Sequence, residues 1–106
     1  MIGKFEEIVL MALIRAGQDS TASTVFEVLT NRLEKEKSFG AMYTTLDRLV
    51  DKKFIAVSSP TVSKGKRRRY FSITGEGKRA LSQSMRLTES MADGLVIHGV
   101  KVGALI

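Results

Sequence analysis

The chain has 106 residues, 43 % hydrophobic and 26 % charged, with a formal net charge of +6 and no cysteine. That length fits one domain with a modest core, and the composition is that of a folded chain rather than a disordered tail; disulfides, thiolate nucleophiles and thiolate metal sites are excluded. The longest apolar run, Ile8 to Ile14, has seven residues against the ~20 of a membrane-spanning helix, and Glu6 and Glu7 ahead of it do not read as a signal peptide, so the expected location is cytoplasmic.

Apolar residues at 5, 8, 9, 12, 13 and 16 follow helical spacing and predict a first helix from Phe5 to Ala16. Leu10, Met11 and Ile14 fill much of its other side, so it needs cover on two sides, and a second subunit is expected to supply part of that cover. The stretch AGQDST, Ala16 to Thr21, reads as a loop, with Gly17 a helix stop and Asp19, Ser20 or Thr21 the next cap. A second helix is expected over Ala22 to Lys35 with Val25, Phe26, Leu29 and Leu33 inward; the Thr24 and Glu27 spacing leaves open a start one turn later. Ser38 is the expected cap of a third helix that ends near Lys53, with Met42, Leu46 and Leu49 inward. Its outer face carries Gly40, Ala41, Thr44, Asp47, Arg48 and Asp51, with Tyr43 at the border, so it is small at its start and charged further on.

After Lys53 the pattern changes to two β-prone runs, FIAVSS and RRRYFSI, joined by PTVSKGK with its proline and Gly65: a hairpin with a loose, basic tip. A period of two puts Phe71 and Ile73 on one face and Arg68, Tyr70 and Ser72 on the other, so apolar residues root the ribbon while cations project from it. Between Lys52 and Arg79 lie nine of the 17 Lys/Arg and one of the 11 Asp/Glu, which places the whole positive excess in one segment, as a polyanion-facing surface requires. Thr74 is the expected cap of a fourth helix running to about Asp93, striped by Leu81, Met85, Thr88, Ala92 and Leu95, a thin face suited to packing or dimerisation. Gly94, Gly99 and Gly103 interrupt the apolar stretch beyond it, which carries no element assignment.

Three helices followed by a cationic hairpin is the order of a winged helix-turn-helix, an α+β, mainly helical fold. In such a fold Gly40 and Ala41 let the third helix approach a major groove closely, Thr44 and Arg48 reach base edges, and Tyr43 gives its hydroxyl to a phosphate. Lys64, Lys66, Arg67 and Arg68 are the expected wing contacts to phosphates or the minor groove; Arg69 alternates with Arg68 along the other face and ranks below them. Asp47 and Asp51 would meet phosphate repulsion, so only the first two turns are expected to enter the groove. Catalysis is not expected: His98 stands alone in an apolar tail, GEGK lacks the remainder of a phosphate loop, and paired carboxylates such as Glu6 and Glu7 read as solvated helix positions. No cofactor or metal site is expected either.

The segments FEEIVLMALIRAG, SFGAMYTTLDRLVDKKFI and KGKRRRYFSITGEGKRAL resemble the phenolic acid decarboxylase regulator (PadR) family of bacterial transcription factors, over roughly Gly3 to Leu81. The most specific marks are GAMYTTLDRL, Gly40 to Leu49, and RRYFSIT followed by Gly77. The resemblance implies a homodimer that binds double-stranded DNA, usually a repressor, pairing through its terminal helices. It assigns DNA contact to Ser38, Tyr43, Thr44, Arg48 and the basic wing. Residues 1–80 then form the winged helix-turn-helix domain and 81–106 a C-terminal helix and apolar tail for dimerisation; a groove between subunits is a candidate site for a small-molecule effector of unknown identity. STASTVFEVL lacks the Tyr-Gly often found where the family's second helix begins, and the glycine-broken end departs from its long dimerisation helix. The alternative is a winged-helix module that binds protein or RNA through the basic hairpin; the small residues opening the third helix weigh against it.

Overall fold

A computed structural model describes residues 2–35, 37–58, 61–63 and 65–101, with the backbone alone at 61–63, 66, 67 and 100. Helix α1 (Lys4–Ala16) lies at its centre, covered by α2 (Ala22–Thr30), α3 (Phe39–Asp51), the wing strand β4 (Phe71–Ile73) and α4 (Gly75–Ala92). Val9, Leu10, Ala12 and Leu13 are buried, each larger side chain contributing about 1.5–3 kcal/mol. Cover on both sides of α1, expected in part from a second subunit, thus comes largely from the chain itself. Ile14 stays exposed.

Glu6 and Glu7 correct the expectation of solvated carboxylates: only 7 % and 5 % of their surfaces are exposed. Glu6 accepts from the Gly3 N–H at 2.8 Å, closing the first turn of α1, and from Lys52 Nζ at 2.7 Å, tying that turn to the end of α3. Glu7 accepts from the Ser84 hydroxyl at 2.6 Å and so fastens α1 to α4. Their spacing fits the amphipathic pattern of α1, but the partners arrive from residues 46 and 77 positions away. Burial raises the Glu6 pKa; the Gly3 N–H, the Lys52 ammonium and the charge of Arg48 outweigh it and hold the carboxyl below its ordinary value of 4.5.

Thr21 caps α2 by accepting from the Thr24 N–H, which settles the open start. The helix ends at Thr30, a turn short of the expected Lys35. The Thr30 hydroxyl bonds back to the Glu27 carbonyl, and Asn31 and Arg32 continue as a turn, while Leu33 still packs on the core. Ser38 caps α3 as expected, its Oγ accepting from Ala41 N–H at 3.0 Å. Met42, Thr45, Leu46 and Leu49 form the buried side of α3.

Strand β1 (Ile55–Val57) pairs antiparallel with β4 in the register Ile55 to Ile73 and Val57 to Phe71. Phe71 also exchanges two backbone hydrogen bonds with Ser20, so the turn before α2 is a third edge of this sheet. Among the described residues of the basic stretch, β2 (Thr61–Ser63) pairs with β3 (Lys66–Arg68), and Gly65 takes φ +76° between them. Arg69 and Tyr70 belong to neither ladder, so the expected period of two does not run unbroken from Arg68 to Ile73. The tail left unassigned by sequence forms a small hairpin, β5 (Val96–Ile97) and β6 (Val100–Lys101), around His98 and Gly99, both at positive φ.

Where wing and C-terminal helix meet, Thr74 donates its N–H to the Phe54 carbonyl and its hydroxyl to the Lys53 carbonyl, and accepts from the Gly77 N–H to cap α4. A Cβ on Gly77 would lie 2.2 Å from Phe54 O and 2.9 Å from Ile73 Cγ1. The backbone of Phe54, just before β1, and that of α4 meet with no room for a side chain. Gly77→Ala should therefore lower the melting temperature by about 10 °C or more, the overpacking outweighing the ~1 kcal/mol by which alanine favours a helix; an unchanged melt would refute the close approach.

A carboxylate with a depressed folded pKa stabilises the fold above its unfolded pKa and loses that contribution as pH falls through the folded value. Glu6→Gln should accordingly be less stable than the native chain in urea at neutral pH, with the gap narrowing below about pH 4.5. A gap independent of pH would show that the Glu6 charge is not what matters.

Candidate nucleic-acid interface

The outer face of α3 is exposed along its length: Gly40, Ala41, Thr44, Asp47, Arg48 and Asp51 all face solvent. Its capped N-terminus adds the positive end of the helix dipole. A Cβ on Gly40 would meet nothing within 4 Å, so the fold itself does not call for a glycine there. Tyr43 and Arg48 mark opposite borders of the face. On the Arg48 border, its guanidinium helps hold Glu6 ionised. On the Tyr43 border the wing arrives.

Tyr43 is half-buried, its ring edge-on to Phe71 at 6.2 Å and tilted against Phe39 at 6.0 Å. Arg69 turns back from the wing to meet it: Nη1 donates to the Tyr43 hydroxyl at 2.8 Å and lies 3.8 Å from Asp47 Oδ1, while the guanidinium sits 5.6 Å from the Phe71 ring centre. Tyr43, Arg68, Arg69 and Phe71, with Thr21 and Ser23 from the start of α2, line a cleft of about 380 Å³. Hydroxyls and guanidinium groups dominate its polar lining. Such a cleft suits an oxyanion.

Of the contacts read from sequence, the structure brings Ser38, Gly40, Ala41, Tyr43, Thr44 and Arg48 onto one helix, with Ser38 already engaged as its cap. Arg68 is exposed at the mouth of the cleft. Lys66 and Arg67 lie on β3, where the backbone is described, and Lys64 lies outside the described residues. Sequence reading missed Thr21 and Ser23, because nothing local places the second helix beside the wing. The alternation with Arg68 set Arg69 on the other face and below the wing contacts, but its partners, Tyr43 and Asp47, were not legible.

Three helices, the last presenting an exposed polar face, and a β-hairpin rooted beside that face define a winged helix-turn-helix, the DNA-binding class. Residues 9–83 match the transcriptional regulator PadR-like family. The chain belongs to that family and is a winged-helix, DNA-binding transcriptional regulator. It is similar to a PadR family transcription regulator from hypervirulent Clostridium difficile, with 28 % identity, 84 % of this chain and 94 % of that one covered, and a TM-score of 0.65. The same fold recurs in a PadR family regulator from Eggerthella lenta, at 20 % identity, 82 % and 76 % coverage and a TM-score of 0.69. It recurs again in a winged-helix DNA-binding protein from STIV, at 16 % identity, 94 % and 100 % coverage and a TM-score of 0.65. No curated protein sequence matches the chain significantly.

Gly40 separates binding from folding. Gly40→Ala should leave the melting temperature unchanged or raised, since alanine is the better helix former by up to ~1 kcal/mol and meets no neighbour. Its affinity for duplex DNA, followed by fluorescence anisotropy, should fall. Unchanged affinity would remove Gly40 from the contact surface.

Proposed function

We propose that the chain is a homodimeric, sequence-specific transcriptional repressor acting in the cytoplasm on double-stranded DNA. The N-terminal half of α3 reads the major groove through Thr44 and Arg48, Tyr43 gives its hydroxyl to a phosphate, and Lys64, Lys66, Arg67 and Arg68 of the wing hold the backbone or the minor groove. The observation that carries this reading is the continuity between an uncharged, small-residue stretch of exposed helix and a wing that follows it directly with five cations in six positions, Lys64 to Arg69. Residues 1–80 are the DNA-reading part and 81–106 the pairing part in this proposal.

Dimerisation is supported by an apolar surface that the subunit leaves uncovered. Leu87, Met91 and Leu95 are exposed at helical spacing along one side of α4 and just beyond it, Met91 at 70 %, while on the other side of the helix Met85 and Ile14 of α1 flank a separate surface depression. Charged residues are few on that strip and methionines adapt to a partner surface. Met91→Glu should shift the chain to monomer in sedimentation equilibrium without lowering its melting temperature; a dimer that survives this change uses another face.

Binding to the chain's own upstream DNA and to a scrambled duplex tests the central claim. Two subunits with about four phosphate contacts each predict a slope of log K against log salt near −7, at ~0.9 per contact. A preference of about a thousandfold for the upstream DNA would support an autoregulating repressor. Affinity nearly flat in salt would overturn the DNA reading, and retention of one acidic protein partner in its place would favour an interaction module.

A further inference from the structure

Arg69 sits in the middle of the basic run, yet it is bound as an internal group. Its guanidinium donates to the Tyr43 hydroxyl at 2.8 Å, lies 3.8 Å from Asp47 Oδ1 and covers the edge of the Phe71 ring, leaving 36 % of the side chain exposed. Arg69 also falls, with Tyr70, in the break between β3 and β4, where the wing tip joins its root. One side chain therefore spans from the hinge of the wing to the border of the exposed face of α3.

The geometry points to Arg69 as a positioning residue for DNA recognition: a latch that fixes the wing against α3 and sets the Tyr43 hydroxyl as a donor, and not a phosphate contact itself. This rests on the proposed reading of α3 and the wing as the DNA surface. The latch has three consequences. A phenol oxygen that accepts from Arg69 keeps its one proton to donate, and Tyr43 lines the cleft whose other polar groups come from Thr21, Ser23, Arg68 and Arg69. The acceptor that completes such a lining is a backbone phosphate oxygen. Asp47, an exposed carboxylate on the reading face, is offset by the guanidinium beside it, which lessens its repulsion of phosphate. Arg69, already engaged by Tyr43 and Asp47, does not neutralise a phosphate and so displaces little of the counterion atmosphere condensed on DNA.

The latch also explains why an arginine stands here. One nitrogen, Nη1, serves both phenol and carboxylate while the guanidinium carbon lies over the Phe71 ring; a lysine ammonium is a compact, strongly hydrated point charge without the flat, delocalised group that stacks on an aromatic ring. Charge alone is then insufficient. Lysine should fail where a purely electrostatic role would let it succeed.

The test uses the duplex enriched by the native chain from a random pool, with affinities measured from about 50 to about 200 mM salt for the native chain, Arg69→Gln, Arg69→Lys, Tyr43→Phe and the Tyr43→Phe/Arg69→Gln double variant. Loss of the latch should weaken binding about tenfold in Arg69→Gln and in Arg69→Lys alike. The salt slope should stay within a few tenths of native, whereas loss of a phosphate contact lowers it by ~0.9 per subunit. The double variant should bind no worse than the weaker single variant, as residues acting through one another do. Without DNA, the side-chain N–H signals of Arg69 should exchange slowly in the native chain and rapidly in Tyr43→Phe, a substitution mild enough to keep the fold.

A slope lowered by ~0.9 per subunit in Arg69→Gln would make Arg69 a direct phosphate contact and overturn the proposal. Additive losses, or native affinity in Arg69→Lys, would overturn it equally. If the native chain enriches no duplex, the DNA reading itself has failed and the positioning role falls with it; the exchange of the Arg69 signals in Tyr43→Phe then still distinguishes a missing latch from a missing ligand.

Discussion

The orientation of the exposed face of α3 relative to the wing depends on the burial of one side chain, Phe71. It is 1 % exposed and takes part in three relations at once: its backbone pairs with Val57 across the sheet and with Ser20 in the turn before α2, and its ring meets Tyr43 of α3 edge-on. A residue committed to two backbone partners and a core position cannot rotate or slide without breaking all of them. The wing root, the entry to α2 and the border of α3 are consequently fixed relative to one another by the burial of the ring together with the backbone hydrogen bonds on either side of it. Asp19 adds to this joint: in left-handed backbone at φ 55°, it donates its N–H to the Ser72 hydroxyl and accepts that hydroxyl's proton on its carboxylate.

A second joint lies one strand away and controls where α4 leaves the domain. Lys53 takes φ 68° after α3 and turns the chain into β1, at a cost that its neighbours offset: Phe54 N–H bonds to the Leu49 carbonyl, and the Lys53 and Phe54 carbonyls are both taken by Thr74. Gly77 then lets the first turn of α4 press onto the Phe54 carbonyl. Further along, Ser84 of α4 holds Glu7 of α1. With a cap, a close backbone approach and a buried hydrogen bond along its first ten residues, α4 leaves in a defined direction, and its exposed apolar strip is presented at a defined angle to α3. In the proposed dimer, that angle sets the distance between the two copies of α3.

Much of this arrangement was legible in the sequence because it is written in local chemistry. Ser38 and Thr74 cap the helices expected of them, the apolar period of α3 places Met42, Leu46 and Leu49 inward, and the proline, Gly65 and the β-branched runs mark the hairpin. What was not legible is long-range. Glu6 and Glu7 look like solvated first-turn carboxylates until Lys52 and Ser84 arrive from distant segments. Arg69 is set apart from the basic run by its alternation with Arg68, but its partner Tyr43 lies 26 residues away and is not announced by local pattern. The early end of α2 at Thr30 is not announced by the apolar spacing, which continues to Leu33, a residue that packs on the core from outside the helix. The C-terminal hairpin turns on His98 and Gly99, a pair whose left-handed conformations a glycine-spotted apolar tail does not announce.

The distribution of charge along α3 argues for how deeply such a helix engages. From Phe39 to Leu46 its exposed positions carry no charge, and they cover roughly 10 Å of helix, comparable with the ~8.5 Å depth of a major groove. Beyond that lie Asp47, Arg48 and Asp51, and of the two carboxylates Asp47 is offset by Arg69 while Asp51 stands a turn further out. The capped N-terminus offers positive dipole and small side chains; the C-terminal end offers the negative pole of the dipole and, on the exposed face, the carboxylates of Asp47 and Asp51 on either side of Arg48. In the proposed complex these gradients act in one direction, tilting α3 so that its first two turns enter and its last turn stays clear of the phosphates. The wing, rooted beside Tyr43 on the same border as Arg69, then meets the backbone just outside the groove that the helix occupies. Dense cationic charge next to a buried β-strand is the natural result: the strand supplies the fixed point from which the charge can be aimed.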